Sequence, residues 1–114
     1  MASFIKFVTF DCVDPIGLSQ FWSEVTGYVP VEVRDDFAAL AAPDERGVRG
    51  ILFWKVPEPK TSKNRMHVDL ASKNGDAEIE RLVNLGATRF ERCEGNGASW
   101  TVMHDPEGNE FCLG

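Results

Sequence analysis

The chain has 114 residues, 43% of them hydrophobic and 26% charged, which is typical of a globular domain. Its formal net charge of −6 argues against general nucleic-acid binding, because that function needs a dense basic surface. Apolar stretches such as Gly50–Trp54 have only strand length, and no long apolar segment follows the first residue. We therefore expect a cytoplasmic protein that does not bind membranes.

The first half of the chain predicts a strand, a helix and three further strands. Phe4–Cys12 is rich in β-branched and aromatic residues, as strands are. Asp14 and Pro15 suit the cap and first turn of a helix, and Gly27 suits its end. Apolar residues at i, i+3, i+4 and i+7 form one helical stripe: Leu18, Phe21, Trp22 and Val25. The three short strands are predicted at residues 28–33, 37–41 and 50–56.

The second half repeats this order after a proline-containing linker, residues 57–64. A strand is predicted at residues 66–72, and a helix between Asn74 and Gly86 has an apolar stripe formed by Ile79, Leu82 and Val83. Three short strands follow at 88–93, 99–104 and 110–113. The first strands of the two halves align at a constant offset of 60 residues, so that His67 takes the place of Phe7 (67 − 7 = 60).

Each half is therefore a βαβββ module, and one module alone would leave a face of its sheet uncovered. We predict one α+β domain over residues 1–114, with the modules at 1–58 and 64–114. Its curved mixed and antiparallel sheet would surround a cleft. The two modules can combine within one chain or between two chains, and a homodimer is the expected assembly.

The order and spacing of these motifs resemble the vicinal oxygen chelate superfamily, which includes glyoxalases, bleomycin-resistance proteins and extradiol dioxygenases. The segments that carry the resemblance are Val8–Asp14, Phe21–Trp22, Gly27, His67–Leu70, Leu85–Ala87 and the closing Asp105–Asn109. Pro57–Lys60 followed by Lys63–Leu70 is most similar to the glyoxalase-like domain branch. The resemblance implies the glyoxalase/bleomycin-resistance fold, with a small molecule bound in the cleft between the modules.

The resemblance also implies where a divalent metal would bind. In the superfamily's metalloenzymes, His, Glu or Gln from the first and last strand of each module hold the metal. The matching positions here are Phe7, His67, Cys112 and a residue near Phe53 or Trp54. Only His67 is a usual ligand, so we expect no metal and no other cofactor. A weakly bound divalent metal is the open alternative.

Strand alternation indicates which side chains face the cleft. The predicted ligand-binding residues are Phe7, Asp11, Trp54, Trp100, Glu110 and Cys112. For Trp54 and Trp100, a place in the core is the alternative. His67 and Asp69 share one strand face, and a carboxylate beside an imidazole is typical of a catalytic general acid/base pair. The alternative is a structural role, in which Asp69 pairs with Arg65.

Other polar residues have simpler interpretations. Asp105 and Asn109 are expected to hold a turn through side-chain-to-backbone hydrogen bonds. The three cysteines lack Cys-x-x-Cys spacing and are expected to be reduced thiols. A basic cluster in the middle of the chain is either a solvated linker or a docking point for an anionic substrate or a partner subunit; it comprises Lys55, Lys60, Lys63 and Arg65.

Three functional hypotheses follow, and the fold resemblance alone does not choose between them. The first is a small-molecule-binding protein without the superfamily's usual metal. The second is a lyase or isomerase that uses His67 with Asp69 or Asp11 for acid/base chemistry. The third is a dimerising interaction module with a vestigial cleft.

Overall fold

The computed structural model describes residues 2–114 and divides the chain into two compact units. Unit 1 ends at Pro59, and unit 2 comprises Lys60–Gly114. Each unit contains one helix and one four-stranded mixed sheet. The predicted α+β class and the tandem βαβββ modules are therefore confirmed.

Unit 1 has the element order predicted for the first module. Its elements are β1 (Phe7–Cys12), α1 (Pro15–Thr26), β2 (Val29–Val33), β3 (Phe37–Ala41) and β4 (Gly50–Lys55). The sheet order is β1-β4-β3-β2, with β1 parallel to β4 and the other pairs antiparallel. The strand that starts the module and the strand that ends it are therefore neighbours.

The ends of α1 follow from local capping chemistry. The Asp14 carboxylate accepts a hydrogen bond from the Gly17 backbone N–H at 3.1 Å, which satisfies one of the free donors of the first turn. At the other end, Gly27 adopts φ 77°, where a side chain would be strained, and its N–H donates to the Ser23 carbonyl at 2.8 Å. Both predicted boundaries of this helix are confirmed.

Alternation along β1 gives its sheet one packed face and one open face. Phe10 stacks on Trp22 of the helix and on Phe53 of β4, with ring centroids 5.4 and 5.5 Å apart. Phe7 lies on the opposite, open face and remains 41% exposed. Its ring covers Gly50, where an added Cβ would lie 2.5 Å from the Leu40 carbonyl oxygen and 3.3 Å from the ring. Glycine is thus required at the start of β4.

Unit 2 repeats this plan. Its elements are β5 (Asp69–Leu70), α2 (Gly75–Leu85), β6 (Thr88–Gly95), β7 (Ala98–His104) and β8 (Glu110–Leu113). The sheet order is β5-β8-β7-β6, with β5 parallel to β8. Leu82, Met103 and Phe111 are fully buried and form the centre of its core. Among residues 2–114, no helix is long and apolar enough to cross a membrane.

Two details of the second module differ from the prediction. The strand expected at residues 66–72 is only two residues long, because just Asp69 and Leu70 pair with β8. Hydrogen bonds to the Val68 and Leu70 carbonyls attach this short segment, and Met66 is 85% exposed. Val83, predicted on the packed stripe of α2, is 44% exposed because it lies at the margin of the stripe.

Candidate functional site

Three chemically reactive side chains meet on the open face of the unit 2 sheet. β5 pairs with β8 so that Asp69 lies directly opposite Cys112, and a backbone hydrogen bond of 3.0 Å from Cys112 to Val68 fixes this register. His67 precedes Asp69 by two residues, which places both side chains on the same side of an extended chain. The structure therefore brings together the predicted acid/base pair and one predicted ligand-binding residue.

The distances within this cluster permit direct interaction. His67 Nδ1 lies 3.1 Å from Asp69 Oδ1, and the donor atoms of His67, Asp69 and Cys112 all lie within 4.8 Å of one another. The two polar side chains are open to solvent, at 42% and 74% exposure, whereas Cys112 is buried. Burial, followed by the negative charge of Asp69, raises the pKa of the Cys112 thiol. The cluster thus contains an exposed imidazole, an exposed carboxylate and a buried thiol.

Glu110 lies on the same strand as Cys112, but its carboxylate already forms hydrogen bonds within unit 2. Its carboxylate accepts hydrogen bonds from Lys60 Nζ at 2.9 Å and from the Asn64 backbone N–H at 2.8 Å. Burial tends to raise the pKa of Glu110, but these hydrogen bonds and the Lys60 charge outweigh it and lower the pKa to about 2. Glu110 is predicted to bind a ligand, yet this contact already anchors the linker to β8.

We expect Glu110→Gln to destabilise the protein by about 2 kcal/mol at pH 7, since it leaves the Lys60 charge without its carboxylate partner. A lowered folded-state pKa contributes stability that is present above the ordinary value of 4.5 and lost as the pH falls towards about 2. The difference in the free energy of unfolding between wild type and variant should therefore become smaller as the pH falls through this range. Urea unfolding between pH 7 and pH 2.5 measures it. The exposed Glu45→Gln control should show no such trend, and an equal response of both variants would contradict the prediction.

Trp100 and Cys93 lie on β7 and β6, the two strands beyond β8 in the same sheet. Trp100 is half-buried on β7, two residues before Val102, which pairs with Cys112. Its ring lies 3.3 Å from the position that a Cβ on Gly95 would occupy. Cys93 pairs with Trp100 across β6 and β7, and burial, then the Glu91 charge, raises the pKa of its thiol. The Trp100 ring therefore extends towards β6, and no disulfide joins the three cysteines.

The remaining predicted site residues lie on the open face of unit 1. Asp11 is exposed and pairs with Trp54 across the parallel strands β1 and β4. Trp54 is 48% exposed and contacts the Phe37 ring at a centroid distance of 4.5 Å. Together with Phe7, these side chains form a mainly aromatic surface within unit 1. Whether they bind a ligand stays a prediction.

The metal site implied by the superfamily does not match the side chains present. In unit 2, Asp69 pairs with Cys112, and the equivalent pair in unit 1 is Thr9 with Leu52. This register moves the fourth ligand position from Phe53 or Trp54 to Leu52. Phe7 and Leu52 have no metal-binding atoms, so half of the four-ligand set is missing.

The partners of Glu110 are the main feature that the sequence did not predict. Lys60 belongs to the basic cluster, for which a solvated linker or a docking point was expected, and Asn64 had no assigned role. Both contact Glu110 from about fifty positions away in sequence. A lysine and an asparagine before the first strand of the second module are too common in sequences to predict this pairing.

Comparison with known proteins places this arrangement in a family. A model of the glyoxalase-like domain matches residues 7–114. A glyoxalase/bleomycin resistance protein/dioxygenase family enzyme from Burkholderia phytofirmans PsJN has a similar structure, with TM-score 0.77, 20% identity and 97% of each chain covered. No curated protein sequence matches significantly.

Two further solved structures contain small molecules. The fosfomycin resistance protein FosX from Listeria monocytogenes, complexed with Mn(II) and 1S,2S-dihydroxypropylphosphonic acid, has TM-score 0.79 and 14% identity, with 99% of this chain and 90% of FosX covered. The bleomycin-binding protein of Streptomyces verticillus, complexed with copper(II)-bleomycin, has TM-score 0.64 and 17% identity, with 99% and 97% covered. At these identities the likeness establishes a shared fold.

Proposed function

We propose, since the chain belongs to the glyoxalase-like domain family, that it binds a small organic molecule on the open face of the unit 2 sheet. The observation that carries this proposal is the contact of 3.1 Å between His67 and Asp69, placed on the solvent side of Cys112. Small-molecule sites combine apolar walls with a few fixed polar groups. Here the imidazole and carboxylate supply the polar groups, and Trp100 and Val102 supply the apolar surface.

The chemistry of these groups narrows the ligand. Asp69 accepts hydrogen bonds, and the His67 ring nitrogen that does not face Asp69 can donate or accept one. A half-buried indole favours a flat apolar portion that stacks on it. The ligand class that fits is a small organic molecule with a planar part and a hydrogen-bonding group. That proteins of this fold are known in complex with copper(II)-bleomycin and with a dihydroxypropylphosphonic acid supports a small-molecule ligand.

A thermal-shift screen of small polar and aromatic metabolites, run with a chelator present, tests the proposal. At least one compound should raise the melting temperature, and Asp69→Asn should weaken its binding about tenfold, because a charged hydrogen-bond acceptor is lost. Asp36→Asn is the matched control, since Asp36 is exposed and lies in unit 1. Equal affinities for both variants, or no shift with any compound, would reject a ligand at this site.

The same contact favours a second candidate, an acid/base lyase or isomerase. A carboxylate within hydrogen-bond distance of Nδ1 orients the imidazole and leaves Nε2 to transfer a proton. Turnover of a compound found in the screen, abolished by His67→Gln with binding retained, would distinguish catalysis from binding alone. The homodimer also stays a prediction, and sedimentation equilibrium would measure it.

A further inference from the structure

We propose that a cavity on the helix side of the unit 2 sheet binds the phosphate group of a small molecule. This helix-side cavity has a volume of about 450 Å³ and is lined by the start of α2 and by residues of β6, β7 and β8, among them Arg92, Thr101 and Leu113. Thr101 pairs with Arg92 on one side and with Leu113 on the other, so the three residues lie on the sheet face opposite Cys112. The cavity is therefore separate from the open-face site proposed above.

The Thr101 hydroxyl is a buried polar group that the protein itself leaves unpaired. Thr101 is only 1% exposed, and its hydroxyl makes no hydrogen bond to any residue between 2 and 114. In the same part of the chain, every side-chain oxygen or nitrogen that is closed to solvent has a hydrogen-bond partner. The hydroxyl therefore keeps its small accessible area, and it does so through the cavity that Thr101 lines. A buried hydroxyl in this position is a group that a bound ligand would satisfy.

The start of α2 adds two backbone donors to the same cavity. Asn74 accepts hydrogen bonds from the N–H groups of residues 77 and 78. The N–H groups of Gly75 and Asp76, two residues that line the cavity, have no acceptor within residues 2–114. The space beside Gly75 is open, since an added Cβ there would meet no atom within 4 Å. Unpaired N–H groups at the start of a helix favour a negatively charged group.

The side chains around the cavity favour a phosphate group over a carboxylate. Lys73 and Arg92 outnumber the one carboxylate side chain in the lining, that of Asp76, and a hydrogen bond of 3.0 Å to the Ser99 hydroxyl holds the Arg92 guanidinium in place. With the Thr101 hydroxyl and the two backbone N–H groups, five donor groups border the cavity, whereas a carboxylate accepts about four hydrogen bonds. A phosphate group has three strongly accepting oxygens and carries more negative charge. The volume of about 450 Å³ also accommodates a small organic portion.

An NMR titration with inorganic phosphate tests the site, with sodium chloride of equal ionic strength as the reference. The amide signals of Gly75 and Asp76 should shift and saturate, and acetate should bind at least about tenfold more weakly than phosphate. Arg92→Met should weaken phosphate binding about tenfold, because it removes a charged hydrogen-bond donor. Arg89→Met is the matched control, since Arg89 is exposed on the same strand but does not line the cavity, and its affinity should equal that of the wild type.

Thr101→Val tests the buried hydroxyl while keeping the size of the side chain. It should weaken phosphate binding about fivefold, and it should not lower the melting temperature, because the hydroxyl has no protein partner to lose. The proposal is overturned if phosphate shifts the two amide signals no more than chloride does, if acetate binds as tightly, or if either Arg92→Met or Thr101→Val binds phosphate like the wild type. A lower melting temperature of Thr101→Val would also overturn it, since the hydroxyl would then be paired within the protein. Asp69→Asn should leave phosphate binding unchanged, so that failure of this site is distinguishable from failure of the open-face site.

Discussion

Phe53→Ala should destabilise the protein by about 3 to 5 kcal/mol. The Phe53 side chain is 0% exposed and stacks on Phe10, which in turn stacks on Trp22 of α1. Alanine would leave a cavity between sheet and helix that these large rings cannot fill. Chemical denaturation followed by tryptophan fluorescence gives the free energy of unfolding.

The neighbouring residue supplies a matched control. Trp54 is larger than Phe53 but points to the open face, where it is 48% exposed and contacts mainly Phe37. Trp54→Ala should therefore lower the free energy of unfolding by less than about 1 kcal/mol, in addition to the loss of the aromatic contact with Phe37. If the two substitutions were equally costly, the assignment of packed and open faces to this sheet would be wrong.

This alternation explains why the fold could be predicted from the sequence. Caps, helical stripes and turns are local signals. Asp14, Gly27 and Asn74 all lie at the helix ends where the sequence predicted them. The period of two along β1 also assigned Phe7 and Phe10 to opposite faces correctly. Because the module repeats, each signal appears twice, and errors in one half could be recognised in the other.

The candidate site was less predictable because it depends on register and on distant partners. His67 and Asp69 could be paired from their spacing, since they are two residues apart on one segment. Their distance from Cys112 depends on how β5 and β8 align, which sequence spacing alone does not determine. The same uncertainty placed the equivalent position in unit 1 near Phe53 or Trp54, whereas the parallel register selects Leu52.

Asp105 illustrates a motif that identifies the fold and also stabilises it. Asp105 is only 3% exposed, and its carboxylate holds the loop between β7 and β8 together through hydrogen bonds. Its Oδ1 accepts hydrogen bonds from the backbone N–H groups of Glu107 and Asn109, both at 2.9 Å, and the Asn109 side-chain amide donates to both oxygens. Gly108 completes the turn at φ 85°, a conformation that favours glycine. The expected turn-holding role of Asp105 and Asn109 is confirmed.

We expect Asp105→Ala to destabilise the protein by about 3 kcal/mol, because one truncation removes the acceptor of several buried hydrogen bonds to a charged group. The melting temperature should fall by about 10 °C, which differential scanning calorimetry would measure. Asp36→Ala is the control: Asp36 pairs with Arg34 on the surface, is 72% exposed, and should cost less than about 1 kcal/mol.

Asp105→Asn separates the effect of charge from that of hydrogen-bond geometry. Its amide oxygen can still accept from the Glu107 and Asn109 backbone groups, but its NH₂ group would face the Asn109 amide, which donates there in the wild type. Rotation of the Asn109 amide by 180° would restore a hydrogen bond, so the loss should lie between those of alanine and wild type. A loss as large as that of alanine would mean that the charge itself stabilises the turn. A loss near zero for Asp105→Ala would contradict the assignment of this carboxylate as the anchor of the β7–β8 connection. Since that connection sets where β8 begins, the same substitution would also disturb the position of Cys112 opposite Asp69.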